Sequence, residues 1–165
     1  MTRCRFRSFL ASVLLLLVGC QQTPQTLARG EPIPPFQLPS LGAQKLQVPA
    51  MQRGQWLLIH FWADWCPPCL QELRATEPVY RRLAGGRFEV LAVNIKQPRE
   101  RVARVASDLE LSYPVLLDAT GEVARRYGVD ALPVSFLVDP DGRLYTRLLG
   151  GVPGERLEAL LHEVL

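Results

Sequence analysis

Two largely apolar segments, Trp56–Trp62 and Phe88–Ile95, constrain the fold of this chain more than any other feature. Short apolar runs of this kind are typical of strands that are buried on both faces of a sheet. Each run is followed by a stretch in which apolar residues recur near helical spacing, which predicts helices over residues 66–83 and 99–111. Because strands alternate with helices, we expect an α/β fold.

Shorter elements complete the predicted pattern. The sequence predicts further strands over residues 36–38, Lys45–Val48, 115–117, Val134–Val138 and 143–149, and further helices over residues 121–127 and 155–164. The first two of these strands lie in a proline-rich stretch and are expected to form a hairpin at the edge of the domain. Thr120 is the expected N-cap of its helix. A type I turn at Asp139-Pro140-Asp141-Gly142 joins the last two strands, so the central sheet should be mixed.

The excess positive charge of the chain is confined to its N-terminus. The chain has 19 basic and 16 acidic side chains, and three of the basic ones are Arg3, Arg5 and Arg7. The rest of the chain is therefore formally neutral. It shows no basic patch, which excludes a nucleic acid as an expected partner.

The N-terminus has the pattern of a secretory signal. A positive stretch over residues 2–7 precedes an apolar run over residues 9–18, which is shorter than the roughly 20 residues that span a bilayer as a helix. The next residues, Val18-Gly19-Cys20, resemble the end of a bacterial lipobox, in which cleavage precedes a cysteine that is then lipidated. An ordinary signal peptide with a chance cysteine is the alternative. We expect a signal peptide over residues 1–19, a lipidated tether over 20–30 and a domain over 31–165.

This organisation predicts a location outside the cytoplasm, on a bacterial membrane to which lipid on Cys20 anchors the protein. Gln21 resembles an outer-membrane sorting signal, which would apply in a Gram-negative cell. Outside the cytoplasm disulfides form readily. With Cys4 removed and Cys20 lipidated, Cys66 and Cys69 are the two free thiols of the mature chain.

Three interpretations of the Cys66-Pro67-Pro68-Cys69 pair differ in their chemistry. A structural zinc site needs about four ligands, and no second ligand pair with short spacing accompanies these cysteines. A purely structural disulfide across two residues would close almost no loop and so remove little entropy from the unfolded chain. A reactive pair fits best, because Cys66 at the start of a helix favours thiolate and Cys69 lies on the same helical face.

The segments FWADWCPPC and GVDALPVSFLVDPDGRL, with Glu72 three residues after Cys69, resemble the thioredoxin-like thiol–disulfide oxidoreductases of the TlpA/ResA/DsbE group. The resemblance covers residues 31–165. It implies a thioredoxin fold with an N-terminal extended hairpin and an inserted helix over residues 99–111. It also implies that Cys66 attacks a client disulfide and that Cys69 resolves the mixed disulfide.

The same resemblance implies further roles at the site. Pro133 is expected to be cis and, with Leu132, to contact a substrate, while Trp65 shields the sulfurs and contacts partners. Glu72 is expected to be a buried acid that raises the thiol pKa values and moves protons at Cys69. His60 stands where thioredoxins carry a buried aspartate, and is either a core histidine or a proton acceptor.

Two further acidic residues near this segment, Asp64 and Glu77, are expected to be surface charges. Departures from the family pattern at four positions leave the substrate open. These positions are Arg74, Ala131, Leu132 and Val134.

The sequence thus predicts a membrane-anchored reductase of protein disulfides that needs no metal or other cofactor. Its expected partners are disulfide-bearing client proteins and a membrane thiol protein that donates electrons, with cytochrome c maturation as one client pathway. Two alternatives are a peroxiredoxin-like peroxide reductase and a non-catalytic lipoprotein that uses the fold as a binding module. The intact Cys66–Cys69 pair counts against both.

Overall fold

Two sheets form the framework of the fold, in a computed structural model that describes residues 27–83 and 85–165. The smaller sheet is an antiparallel hairpin of β1 (Phe36–Pro39) and β2 (Lys45–Val48). The strands of the larger sheet are β3 (Trp56–Trp62), β4 (Phe88–Ile95), β5 (Val115–Asp118), β6 (Val134–Val138) and β7 (Leu144–Leu149). The hairpin and the mixed second sheet agree with the sequence prediction.

The larger sheet has the spatial order β5-β4-β3-β6-β7. The strand β3 is central; it is parallel to β4 and antiparallel to β6, and β7 is antiparallel to β6. The remaining pair, β4 and β5, is parallel. The C-terminal ends of β3, β4 and β5 therefore lie at the same end of the sheet, and the loop that carries Cys66 leaves from this end.

Within the described residues, four α-helices cover the sheet: α1 (Pro67–Leu83), α2 (Arg99–Asp108), α3 (Glu122–Arg126) and α4 (Gly154–Val164). One face of the sheet packs against α1, α2 and α4, and the cluster on this side contains both Cys66 and Cys69. The other face packs against the β1–β2 hairpin and α3. Burial on both faces explains why β3 and β4 are apolar along most of their length. Their bounds are those predicted from the sequence.

The predicted helix boundaries agree with the structure to within one residue, except at the end of α2. The helix α2 ends at Asp108 rather than at 111, because Glu110 takes a left-handed φ of 51° and the N–H of Leu111 bonds back to the carbonyl of Ala106. This geometry is a common way to end a helix.

The N-cap of α3 also differs from its prediction. Gly121, with φ of 70°, occupies the N-cap position, and Thr120 Oγ1 accepts only a long 3.3 Å bond from Glu122. The short bond comes from elsewhere: Oδ2 of the buried Asp118 accepts from the N–H of Ala124 at 2.8 Å. Asp118 therefore supplies the cap that the sequence analysis assigned to Thr120.

The N-terminal segment of the described chain is attached to the start of β7. The N–H of Gly30 donates to the carbonyl of Leu144 at 2.7 Å, and the N–H of Leu144 donates to the carbonyl of Glu31 at 2.8 Å. The predicted signal peptide and Cys20 lie outside the described residues. Within the described ranges, no helix is long and apolar enough to cross a membrane.

Candidate active site

Cys66 lies directly before α1, at the N-terminal end of the helix. Its N–H donates to the carbonyl of Ala63, and its own carbonyl accepts from the N–H of Leu70 at 3.2 Å. Cys66 and Cys69 form a disulfide with an S–S distance of 2.04 Å and a Cα–Cα distance of 5.3 Å. In the described part of the chain, no three His, Cys, Asp or Glu side chains are grouped as metal ligands.

The two sulfurs differ in their surroundings. Cys66 is 4% exposed, whereas Cys69 is completely buried beneath it. The N–H of Cys69 donates to Cys66 Sγ at 3.3 Å, while Pro67 and Pro68 have no N–H to offer. The helix N-terminus favours a negative charge on Cys66, so this sulfur has both the better access and the electrostatic support that a nucleophilic thiolate needs.

The Leu132–Pro133 peptide bond is cis, as the family resemblance implied. Pro133 directly precedes β6, and its carbonyl accepts from the N–H of Gly150 at 3.1 Å. Leu132 is half-buried and packs against the cluster that contains both cysteines. Trp65, by contrast, is 68% exposed, so its indole is available to a partner.

One helical turn along α1 from Cys69, the structure brings together three buried polar side chains from different elements. Glu72 on α1 is 3% exposed, His60 on β3 is 2% exposed and Ser135 on β6 is fully buried. The Ser135 hydroxyl donates to Glu72 Oε1 at 2.6 Å, and His60 Nδ1 lies 2.8 Å from Ser135 Oγ and 3.1 Å from Glu72 Oε1. Because the hydroxyl proton points to Glu72, His60 Nδ1 carries a proton and donates.

The direction of the Glu72 pKa shift follows from these contacts. Burial raises the pKa of the Glu72 carboxyl, but the hydrogen bond and charge of His60, with the donors Ser135 and the N–H of Val152, outweigh it. The net pKa lies below the ordinary value, so Glu72 is a buried carboxylate. Its hydrogen bonds go to these three groups, and any influence on the thiols acts through space.

Ser135 was not identified from the sequence, although it pairs directly with His60 in the register of β3 and β6. Once the strand register is known, a polar residue directly opposite a buried histidine can be recognised as its hydrogen-bond partner. From the sequence alone, Ser135 is one small residue in an otherwise apolar strand, where serine needs no special explanation.

The expectation that Asp64 and Glu77 are surface charges is wrong. Glu77 is 7% exposed and accepts hydrogen bonds from the N–H of Ser112 at 3.0 Å and from Arg81 Nε at 2.7 Å, which ties α1 to the segment before β5. Asp64 is half-buried and forms an ion pair with Arg101 of α2 at 3.0 Å. Both carboxylates connect elements rather than lying free in solvent.

Comparison with known proteins identifies the family. The sequence model of the AhpC/TSA family matches residues 29–147, a range that contains the disulfide and the cis proline. The chain belongs to the AhpC/TSA family. Its sequence is 28% identical over 163 residues to the thiol-disulfide oxidoreductase ResA of Bacillus thuringiensis subsp. konkukian, covering 92% of this chain and 94% of the relative. ResA of Bacillus subtilis is 25% identical, with 86% and 76% covered.

The solved structures to which this chain is similar agree with its sequence relatives. A putative thiol:disulfide interchange protein DsbE from Chlorobium tepidum is 28% identical with a TM-score of 0.75, covering 84% of this chain and 96% of that one. StoA from Bacillus subtilis is 26% identical with a TM-score of 0.68, covering 78% and 96%. These likenesses confirm the thioredoxin-like fold and place the chain in the TlpA/ResA/DsbE group of thiol–disulfide oxidoreductases.

Proposed function

We propose that this protein reduces disulfides of client proteins outside the cytoplasm, using the Cys66–Cys69 dithiol as the donor of two electrons. The observation that carries the proposal is the redox pair itself, a disulfide at a helix N-terminus in which Cys66 is 4% exposed and Cys69 is completely buried. A disulfide placed in this way can open and close without rearrangement of the fold, because both cysteines belong to one helical turn.

The reaction is two successive exchanges. The Cys66 thiolate attacks one sulfur of the client disulfide, forms a mixed disulfide and releases the other client sulfur as a thiolate. The Cys69 thiolate then attacks Cys66 Sγ, which releases the second client sulfur and closes the Cys66–Cys69 disulfide. The client gains two electrons and takes up protons on its thiolates, while the dithiol is oxidised.

The surroundings of Cys66 supply the contacts with the client. The exposed Trp65 and the half-buried Leu132 present apolar surface beside the disulfide. Pro133 directly precedes β6 and helps to hold a client backbone, as the family resemblance implies. Glu72 disfavours thiolate through its negative charge.

The direction of electron flow follows from how weakly a Cys66 thiolate is stabilised. A strong oxidant needs a very stable thiolate in its reduced form. Within the described residues, Cys66 Sγ accepts one hydrogen bond, from the N–H of Cys69, since Pro67 and Pro68 cannot donate. The helix dipole stabilises the Cys66 thiolate but does not replace the two missing donors. The thiolate is therefore only weakly stabilised, and the protein is a reductant.

The reduction potential of the Cys66–Cys69 pair tests this function. The purified protein is equilibrated with dithiothreitol or glutathione redox buffers and scored by thiol alkylation. We expect a potential nearer the roughly −270 mV of thioredoxin than the roughly −120 mV of a strong periplasmic oxidant. A value above about −180 mV would show that the protein is not a reductant. The double variant Cys66→Ser/Cys69→Ser corrects for alkylation at other cysteines.

The setting of the reaction rests on the N-terminal sequence. The signal pattern and the lipobox-like Gly19-Cys20 support an extracytoplasmic protein that is held to a membrane by lipid. Clients oxidise the dithiol at each turnover, so a membrane thiol protein must return the electrons. Apocytochromes awaiting haem attachment are one class of client, as in cytochrome c maturation.

The two alternatives predict different results from a reduced sample. A peroxide reductase would consume hydrogen peroxide stoichiometrically at a lone peroxidatic cysteine, whereas Cys66 has Cys69 as a disulfide partner. A non-catalytic binding lipoprotein would leave client disulfides intact at any concentration. Reduction of a disulfide peptide with matching oxidation of the protein separates both from the proposed function.

A further inference from the structure

The loop between β3 and α1 is held by a side chain from elsewhere in the chain, Gln97, which follows the end of β4. Gln97 Oε1 accepts two hydrogen bonds at 2.8 Å, one from the backbone N–H of Asp64 and one from Asn94 Nδ2. Its Nε2 donates to Asp64 Oδ1. One amide therefore binds both the backbone and the carboxylate of the residue that precedes Trp65 and Cys66.

Two further contacts complete this arrangement, which we call the Gln97 clasp (Asp64, Asn94, Gln97 and Arg101). Arg101 Nε on α2 lies 3.0 Å from Asp64 Oδ2, so both oxygens of the carboxylate are bonded. Asn94 is 1% exposed and pairs with Trp62 in the register of β3 and β4. The clasp thus connects the C-terminal end of β4 to the loop that carries the disulfide.

The need for such a clasp arises at Asp64 and Trp65, which are not buried, whereas Ala63 and Cys66 on either side of them are. Trp65 is 68% exposed, so packing does not hold its side chain. Backbone bonds must then fix the loop, and the bond from Cys66 N–H to Ala63 spans only the loop itself. Exchange between a thiolate and a disulfide depends on close approach in a defined geometry, and a misplacement of about 1 Å can reduce a rate by up to about a hundredfold.

We propose that Gln97 is a positioning residue for thiol–disulfide exchange, because it fixes Asp64 and thereby holds Trp65 and Cys66 in the geometry that meets a client disulfide. The inference rests on the proposed function, which assigns the attack to Cys66. Nothing in the catalytic chemistry passes through Gln97. Its contribution is geometric, and it couples the inserted helix α2 to the active-site loop through the shared partner Asp64.

The donor and acceptor pattern of the clasp permits a reciprocal exchange of residues. Glutamine can donate and accept at once, whereas a glutamate only accepts. Gln97→Glu places a second carboxylate against Asp64 and removes the donated bond. Adding Asp64→Asn restores a donor–acceptor pair with the direction reversed, since the introduced asparagine donates to the introduced glutamate.

The test uses the reduced full chain and a peptide with one intramolecular disulfide. We expect Gln97→Glu to lower kcat/KM for peptide reduction roughly tenfold, within the range that small misplacements produce. The double variant Gln97→Glu/Asp64→Asn should recover to within about threefold of the wild type. The proposal would be overturned if kcat/KM of the single variants Gln97→Glu and Asp64→Asn stayed within about twofold of the wild type. It would also be overturned if the loss of kcat/KM in the double variant equalled the product of the two single losses. The matched control is Gln37→Glu on the exposed side of β1, which should react as the wild type does.

A second measurement does not depend on activity. In the wild type the N–H of Asp64 is bonded to Gln97, so its amide hydrogen should exchange slowly with solvent, and Gln97→Met should speed this exchange at least tenfold. A rapidly exchanging Asp64 amide in the wild type would refute the clasp even if the enzyme is active. Conversely, an inactive wild type with a protected Asp64 amide would count against the proposed function and leave the clasp geometry standing.

Discussion

Cys66 and Cys69 are three residues apart and both are largely buried, but Cys66 keeps 4% of its surface exposed whereas Cys69 keeps none. This difference assigns their roles, because a client disulfide can meet only the sulfur that it can reach. We predict that Cys69→Ser accumulates a mixed disulfide between Cys66 and a client, since the thiol that would resolve it is gone. Cys66→Ser should trap little client.

The measurement is non-reducing electrophoresis of each variant after incubation with a disulfide-bearing client, with mass spectrometry of the linked peptides. The double variant Cys66→Ser/Cys69→Ser reports linkage through any other cysteine. Equal trapping by the two single variants would contradict the assignment of Cys66 as the attacking residue.

Glu72 contributes to stability as a carboxylate that is buried among three donors. Because its pKa in the folded protein lies below its ordinary value of 4.5, this stabilisation is complete above that value. It is lost as the pH falls through the lower pKa of the folded state. We predict that Glu72→Gln lowers the free energy of unfolding by about 1–3 kcal/mol at pH 7, and by progressively less towards pH 3.

Urea denaturation of the oxidised protein at several pH values measures this difference. Glu155→Gln, on the exposed side of α4, is the matched control; its carboxylate lies in the first helical turn and should contribute no more than about 1 kcal/mol. If the gap between the wild type and Glu72→Gln stayed constant on acidification, the carboxylate would not have the shifted pKa that its contacts indicate.

The element α3 is short, and one buried side chain determines how it begins. The 2.8 Å bond from Ala124 N–H to Asp118 satisfies a helix N–H that would otherwise be buried without a partner. We predict that Asp118→Ala lowers the free energy of unfolding by about 1–2 kcal/mol, while Thr120→Ala costs less than about 0.5 kcal/mol. Urea denaturation of both variants decides which residue is the cap; a larger cost for Thr120→Ala would favour the original assignment.

Elements that are buried on both faces were predictable from the sequence, whereas polar contacts between elements were not. The bounds of β3 and β4 follow from apolar runs that only a covered sheet explains. The cap of α3 lies in the preceding strand, at Asp118, so local spacing pointed to Thr120 instead.

At the site, the sequence predicted the residues of the reactive turn but not those that support it. The cysteines and Glu72 belong to one helix, where spacing gives proximity directly. Ser135 and Gln97 reach the site from distant parts of the chain, and their positions depend on strand register and on a loop conformation. Neither the strand register nor the loop conformation can be predicted from a short-range sequence pattern.

At the scale of the whole molecule, the proposed membrane location depends on lipid attachment at Cys20, which lies outside the described residues. We predict that the protein fractionates with membranes and that Cys20→Ser moves it to the soluble fraction, because a cysteine that follows Gly19 at the end of an apolar run is the site of lipid attachment. Membrane fractionation followed by immunoblotting measures this. An unmodified mature N-terminus at another residue, seen by mass spectrometry, would sink the lipoprotein assignment.

The attachment of Gly30 and Glu31 to Leu144 has a mechanical consequence. Leu144 begins β7, whereas Leu149 ends it next to Val134 and the cis proline, roughly 17 Å away at the usual rise of a strand. With the proposed lipid anchor on Cys20, a pull on the N-terminal chain would therefore act on the end of the sheet opposite the disulfide. The backbone bonds of Gly30 and Glu31 to Leu144 would bear that load, so it would not fall directly on the reactive end.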